Sequence, residues 1–90
     1  MIERFVVEPV YPNPFNPLAQ FRFAVQRSQQ VRVDLYDVLG RQVRVLYEGT
    51  PQAGQMHTVP IDGSDLPSGM YLVRVAGQSF VKAQTVTLLK

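Results

Sequence analysis

The stretch that most restricts this chain is Tyr11-Pro12-Asn13-Pro14-Phe15-Asn16-Pro17. A proline lacks the backbone N–H and has a fixed φ, so this density of prolines excludes a helix or a central strand. Tyr11, Asn13 and Asn16 each precede a proline and are pushed toward extended backbone. Each Asn-Pro step favours turn initiation, with the asparagine side chain free to bond the backbone two residues on. A segment this stiff loses little entropy on ordering. Tyr11 and Phe15 are then expected as anchors that drop into a hydrophobic groove. A proline-rich segment is often a linker or a ligand for a Pro-reading domain. Here the alternating run Gln20-Phe21-Arg22-Phe23-Ala24-Val25 follows directly, which favours an ordered crossing built into a domain.

Around that crossing the chain reads as strands. Phe5-Val6-Val7 is a short first strand closed by Pro9. Phe21, Phe23 and Val25 share one parity, as do Val31, Val33 and Leu35; period-2 spacing of this kind marks half-buried strands. Asp37-Val38-Leu39-Gly40-Arg41 is a turn with an early acid and a glycine placed for positive φ. Val43 and Val45 continue beyond it on a common face, which predicts a hairpin. Gly49 to Gly54 is a loop. Val59 and Ile61 face one way in the next strand, which Pro60 demotes to an edge or a bulge. Asp62-Gly63-Ser64-Asp65-Leu66-Pro67-Ser68-Gly69 is the densest turn cluster. Tyr71, Val73 and Val75 alternate, and Ala76-Gly77-Gln78-Ser79 predicts a tight hairpin. The last strand runs from Phe80 to Leu89. Its parity conflicts, because Lys82 and Gln84 share a face with Val86 and Leu88, and a bulge near Ala83–Thr85 would resolve this. About seven short antiparallel strands with turns every ~8–12 residues make an all-β, Ig-like β-sandwich, one domain over residues 1–90. The cysteine pair and core tryptophan of true immunoglobulin domains are missing, so the likeness is architectural.

The 90 residues carry a net charge of +2 and no cysteine. Disulfides and thiolate chemistry are therefore excluded. No basic cluster supports nucleic-acid binding, and no apolar run is long enough to span a bilayer. Met1-Ile2-Glu3-Arg4 lacks the basic start and apolar run of a signal peptide. The abrupt start in strand-like sequence is expected of a piece of a larger protein.

Catalytic chemistry finds little support. His57, the only histidine, shares parity with Val59 and Ile61 and is read as a residue at the rim of the core. No nucleophile is paired with it by spacing. Asp62, Ser64 and Asp65 around Gly63 resemble an oxygen-rich calcium loop, but the spacing departs from the EF-hand pattern; turn chemistry explains them better. No cofactor is implied. Arg22, Arg32, Arg44 and Arg74 lie on outward strand parity, where they protect edges or offer a basic surface to an anionic partner.

The quoted residues form an ordered set: Tyr11 to Pro17, a Phe-x-Phe strand, Val33-Asp34-Leu35-Tyr36-Asp37-Val38-Leu39-Gly40-Arg41, then Gly54 and His57, Asp62-Gly63, Leu66-Pro67-Ser68-Gly69-Met70-Tyr71, and a strand ending at Lys90. This resembles the type A C-terminal sorting domain of proteins exported by the type IX secretion system. The resemblance implies a non-catalytic signal at the end of a larger secreted protein, often an enzyme. It also implies export through the periplasm to the cell surface or medium, with the signal peptide on the upstream part. The partners implied are the outer-membrane translocon, a sortase-like peptidase and, for anchored cargo, anionic lipopolysaccharide. Tyr11, Pro12, Asn13, Pro14, Phe15, Asn16, Pro17, Gly40, Arg41, Asp62, Gly63, Gly69, Tyr71 and Lys90 are the motif residues. Ile61 departs from the tryptophan that the family commonly places before Asp-Gly, yet it suits an inward strand position. A related resemblance is to the Ig-like domain of flagellar hook-capping proteins. The other readings are a carbohydrate-binding module, using Tyr11, Phe15, Tyr36, Tyr47 and Tyr71 as stacking rings, and a structural Ig-like spacer. The last strand is expected to offer the translocon an unpaired edge or a tail for strand addition.

Overall fold

Side chains that are apolar at every second residue give a strand one dry face, and two such faces closed on each other form this structure. The computed structural model describes residues 5–90. Met1-Ile2-Glu3-Arg4, with the reading of the chain's start, lie outside the described residues. Seven strands occur among them: β1 (Phe5–Val7), β2 (Leu18–Val25), β3 (Val31–Asp37), β4 (Gln42–Gly49), β5 (His57–Asp62), β6 (Gly69–Ala76) and β7 (Val81–Leu88). They pair antiparallel in two sheets, ordered β1-β2-β5 and β4-β3-β6-β7. This is the all-β, Ig-like sandwich that the alternation implies.

The core follows the same alternation. Phe21, Phe23 and Val25 of β2, with Val59 and Ile61 of β5, face Val31, Val33 and Leu35 of β3, with Val73 and Val75 of β6. All are buried. Pro60 lies opposite Gln20 on β5, which is an edge strand; the missing N–H costs no ladder bond on the open side.

Two strands depart from the expected pattern. In β4, Val33 lies opposite Tyr47 while Asp34 lies opposite Val45, so Leu46 is skipped. Leu35 then faces Arg44 and Tyr36 faces Gln42, which skips Val43. Each extra residue reverses side-chain parity. Val43, Leu46 and Tyr47 therefore pack on the core, and Val45, expected beside Val43, is exposed. In β7 the expected bulge near Ala83–Thr85 is absent. The register with β6 runs unbroken from Val81 opposite Ala76 to Leu88 opposite Gly69. Gln84 keeps its inward position because its side chain has backbone partners. Its Oε1 accepts from the Val10 N–H at 2.8 Å, and its Nε2 donates to the Glu8 carbonyl at 3.2 Å.

Those bonds lead to the proline-rich crossing, whose X-Pro peptide bonds at Pro12, Pro14 and Pro17 are all cis. From β1 the chain continues along β2, with Glu8 N–H donating to the Arg22 carbonyl and Tyr11 exchanging two backbone bonds with Gln20. It then moves onto β7. Asn13 Oδ1 accepts from the Thr87 N–H at 3.0 Å, and its Nδ2 donates to the Thr85 carbonyl at 3.3 Å. Asn13 thus bonds a distant strand, in place of the expected local turn bond. Phe15 pairs with Leu88 in parallel: its N–H donates to the Thr87 carbonyl and its carbonyl accepts from the Leu89 N–H, both at 2.9 Å. The crossing therefore covers the outer edge of β7 along its second half, where an open edge was expected.

The two expected anchors fare differently. Phe15 is 2% exposed and belongs to the core, whereas Tyr11 is 59% exposed. Tyr11 lies on the surface, its hydroxyl accepting from Gln20 Nε2 at 3.1 Å. Val10, one residue earlier, supplies the second buried side chain. Truncating a buried phenylalanine costs about 3–5 kcal/mol, and each ~1 kcal/mol moves the melting temperature of a domain this size by about 4–8 °C. Phe15→Ala is therefore expected to lower the melting temperature by more than ~10 °C, and Tyr11→Ala to shift it by no more than a few degrees. Circular-dichroism melts of both variants check this. An unchanged melt for Phe15→Ala would make the stretch a mere tether.

Candidate functional site

The strand registers bring the sequence motifs to one end of the sandwich. Leu18 lies opposite Asp62, Asp37 opposite Tyr71, and Gly69 opposite Leu88. The end of the crossing, the 38–41 turn, the 62–69 turn and residues 88–90 therefore share that end.

Each piece is fixed by local chemistry. In the β3–β4 turn the Asp37 carboxylate accepts from the Leu39 N–H at 2.9 Å, the Arg41 N–H at 3.0 Å and Arg41 Nε at 3.0 Å. Gly40 closes the turn with φ of +81°, a conformation that a Cβ would strain. In the next turn Asp62 Oδ1 accepts from the Ser64 N–H and hydroxyl. Gly69 leaves that turn with φ of +153°. Tyr71, buried on the inner face of β6, donates its hydroxyl proton to the Pro67 carbonyl at 2.6 Å.

Three contacts then join the segments. The Gly63 N–H donates to the Pro17 carbonyl at 2.8 Å. A Cβ on Gly63 would stand 2.9 Å from Leu88 Cδ2 and 3.2 Å from Phe15 Cε2, so the glycine lets the crossing, the Asp-Gly turn and β7 meet. Arg44 reaches across from β4, with Nη1 donating to the Asp62 carbonyl at 2.6 Å and Nη2 donating to both Asp65 oxygens at 2.7 and 2.9 Å. Lys90 donates its backbone N–H to Ser68 Oγ, and its Nζ to the Ser64 and Leu66 carbonyls at 2.8 and 2.7 Å.

Each carboxylate of these two turns is held by donors. Bonds from the Arg41 backbone N–H, and then from Leu39 and the Arg41 side chain, hold the Asp37 carboxyl below its ordinary range. The Ser64 hydroxyl and N–H do the same for Asp62, and the Arg44 guanidinium for Asp65. Asp62 is thus accounted for by turn chemistry and Asp65 by an ion pair with Arg44, and no cluster of three metal-binding side chains occurs among the described residues.

The remaining candidates are dispersed. His57 is half-buried, stacked on Phe23 with Nε2 3.4 Å from the Gln52 carbonyl. Of the possible sugar-stacking rings, Phe15 and Tyr71 are buried and Tyr47 packs edge-on against Phe23. Tyr11 bonds β2 while Tyr36 stands on β3, so the two share no platform. Arg22 pairs with Glu8, Arg32 with the buried Asp34, and Arg44 with Asp65. Pro12 and Pro14 restrict the backbone of the crossing. Val10 carries structure that the sequence does not single out, Arg44 reads from sequence only as an outward charge, and Gln84 only as a conflict of parity. The pair of acids facing Arg44 in one turn, and a glutamine on inward parity, were the available signals.

Comparison with known proteins gives a family and a fold. The profile of the secretion system C-terminal sorting domain matches residues 9–88. The structure is similar to part of dimeric latent PorU from Porphyromonas gingivalis, with a TM-score of 0.76 and 22% identity over 98% of this chain and 10% of that one. It is also similar to the sensor domain of the anti-sigma factor RsgI4 from Pseudobacteroides cellulosolvens, with a TM-score of 0.73 and 13% identity over 98% of this chain and 76% of that one. At these identities the likeness shows the fold. No curated protein sequence matches the chain.

The three depressed carboxylates give the fold a signed pH dependence. A group whose pKa is lower in the folded state contributes stability that is present above its unfolded value and lost as pH falls through its folded value. The unfolded value is 3.8 for Asp37, Asp62 and Asp65. The melting temperature is expected to hold between about pH 7 and 5 and to fall below about pH 4. Asp37→Asn should lower it at pH 7 and flatten the acid limb. Melts from neutral to acid pH check this, and an acid limb unchanged by Asp37→Asn would contradict it.

Proposed function

Because the chain belongs to the secretion system C-terminal sorting domain family of type IX secretion, we propose that it is a folded, non-catalytic address for an upstream cargo protein. In this reading the cargo, a secreted enzyme, crosses the inner membrane by its own N-terminal signal peptide. The sandwich is then read at the outer-membrane translocon. A sortase-like peptidase removes it, and the cargo is released or joined to anionic lipopolysaccharide at the cell surface.

The observation that carries the reading is the family match over residues 9–88. Its physical support is the way the motif residues meet. Phe15, Gly63, Tyr71 and Lys90 are joined into one end of a sandwich by hydrogen bonds and close packing, and Gly69 stands there opposite Leu88. A signal read after folding must be a surface of fixed shape, and cross-bonded turns supply one at low ordering cost. Asp37, Gly40 and Arg41 form the neighbouring turn, so the same end presents a second rigid loop. Gly40, Arg41, Asp62 and Lys90 are proposed to shape that surface, and Phe15 and Tyr71 to hold it from beneath.

A periplasm-targeted reporter carrying residues 1–90 at its C-terminus, expressed in a type IX-competent host, is expected to reach the surface or medium. Deleting the translocon should return it to the periplasm. Retention in the periplasm, in a host that exports the same reporter on an established sorting domain, would contradict the reading.

A further inference from the structure

The outer face of the four-stranded sheet carries a groove that borders the end described above, touching Asp37, Gly40 and Tyr71, and runs on from it along β6. It encloses about 560 Å³ and is lined in part by Tyr36, Val38, Met70, Leu72, Arg74 and Thr85. Tyr36, Leu72 and Thr85 stand opposite one another in a row across β3, β6 and β7. The outward face of a solvated antiparallel sheet is normally polar. Here Val38 is 74% and Met70 53% exposed, with Leu39 and Leu72 also exposed nearby. Scattered apolar residues on a surface need no explanation, whereas a contiguous group marks a contact site.

Charge distinguishes the groove further. Arg22, Arg32 and Arg44 each hold a carboxylate within 2.9 Å. The Arg74 guanidinium, among the described residues, has neither an ion pair nor a hydrogen bond, while its backbone pairs in the β3–β6–β7 ladder. Its register neighbour Asp34 is bonded to Arg32, and Asp37 is taken up by its own turn. A guanidinium beside an apolar floor is a strong site for one carboxylate, because its donors match the carboxylate fork.

We propose that this groove docks a short protein segment with apolar side chains over Tyr36, Met70 and Leu72 and one carboxylate on Arg74. The complementarity is to a single negative charge. Lipopolysaccharide or a nucleic acid would call for several free cations together, and the neighbouring arginines are already paired. A glycan would call for exposed ring platforms bordered by polar groups, and of the two tyrosines lining this groove Tyr71 is buried, which leaves Tyr36 among aliphatic side chains. The size lies within the roughly 300–1,000 Å³ of ligand sites.

The test uses the purified chain of residues 1–90 on arrays of immobilised short peptides. One series carries a central glutamate flanked by leucine and valine, and matched series carry glutamine or lysine in its place. Lipopolysaccharide vesicles and a glycan panel run in parallel. The glutamate series is expected to be retained, with the glutamine series about tenfold weaker, the size of one charge-assisted hydrogen bond. Arg74→Gln should erase that difference at an unchanged melting temperature, Leu72→Lys should weaken both series, and Arg22→Gln should alter neither. Equal retention of glutamate and glutamine peptides would overturn the proposal. So would a difference that survives Arg74→Gln, retention on vesicles or glycans alone, or no retention at all. An Arg74→Gln chain with a lowered melting temperature would assign the guanidinium to the fold and overturn it equally.

Discussion

The structure depends on the double attachment of Phe15. Its side chain is buried against Leu88 and Gly63, and its backbone bonds Thr87 and Leu89 on the outer edge of β7. A two-sheet sandwich has open seams where its edge strands lie, and an edge strand exposes unpaired donors and acceptors that invite association. Here the crossing closes the seam beside β7. Gln84, Asn13 and Phe15 act in succession along it. At the opposite end of β7, Phe5 stacks on Phe80 with ring centroids 4.2 Å apart. The stiffness that keeps prolines out of helices and central strands is useful in this place. A segment with few unfolded conformations loses little entropy when it is laid along an edge.

Closing that seam also orders the motif-bearing end. The Gly63 N–H bonds Pro17 within the same cluster, so the Asp-Gly turn is fixed to the crossing as well as to its own strands. Arg44 ties β4 to that turn on the other side. The surface presented there depends on residues far apart in sequence, such as Asn13 and Thr87, and is present only once the chain has folded. A surface built this way distinguishes folded from unfolded chains, as the proposed reading of the folded domain requires.

How far the sequence could be read depended on how local the signal was. β2, β3, β5 and β6 show their alternation plainly, because each has one face in the core and no interruption. β4 misleads because its two bulges move Leu46 and Val43 off the expected parity, and nothing in Val43-Arg44-Val45-Leu46 marks where the extra residues fall. β7 misleads for a different reason. Gln84 is a polar residue facing inward because a distant backbone requires partners, so parity alone points to a bulge where the register is regular. Tyr11 and Asn13 were misassigned in the same way: local rules assign a proline-flanked ring to a groove and an asparagine to its own turn, while tertiary contacts take Val10 inside and send Asn13 to β7. The motif residues could be named from their order, but their gathering at one end required the strand registers.

The central claim is that the proline-rich crossing is an integral part of the sandwich edge. Native-state amide hydrogen exchange tests it most directly, at the Phe15 and Leu89 N–H groups that bond across the seam. If the claim holds, both exchange only with global unfolding, at the same free energy as the central β6 amides such as Val73. If both exchange by local opening while Val73 stays protected, the crossing is a separable strap and the account is wrong.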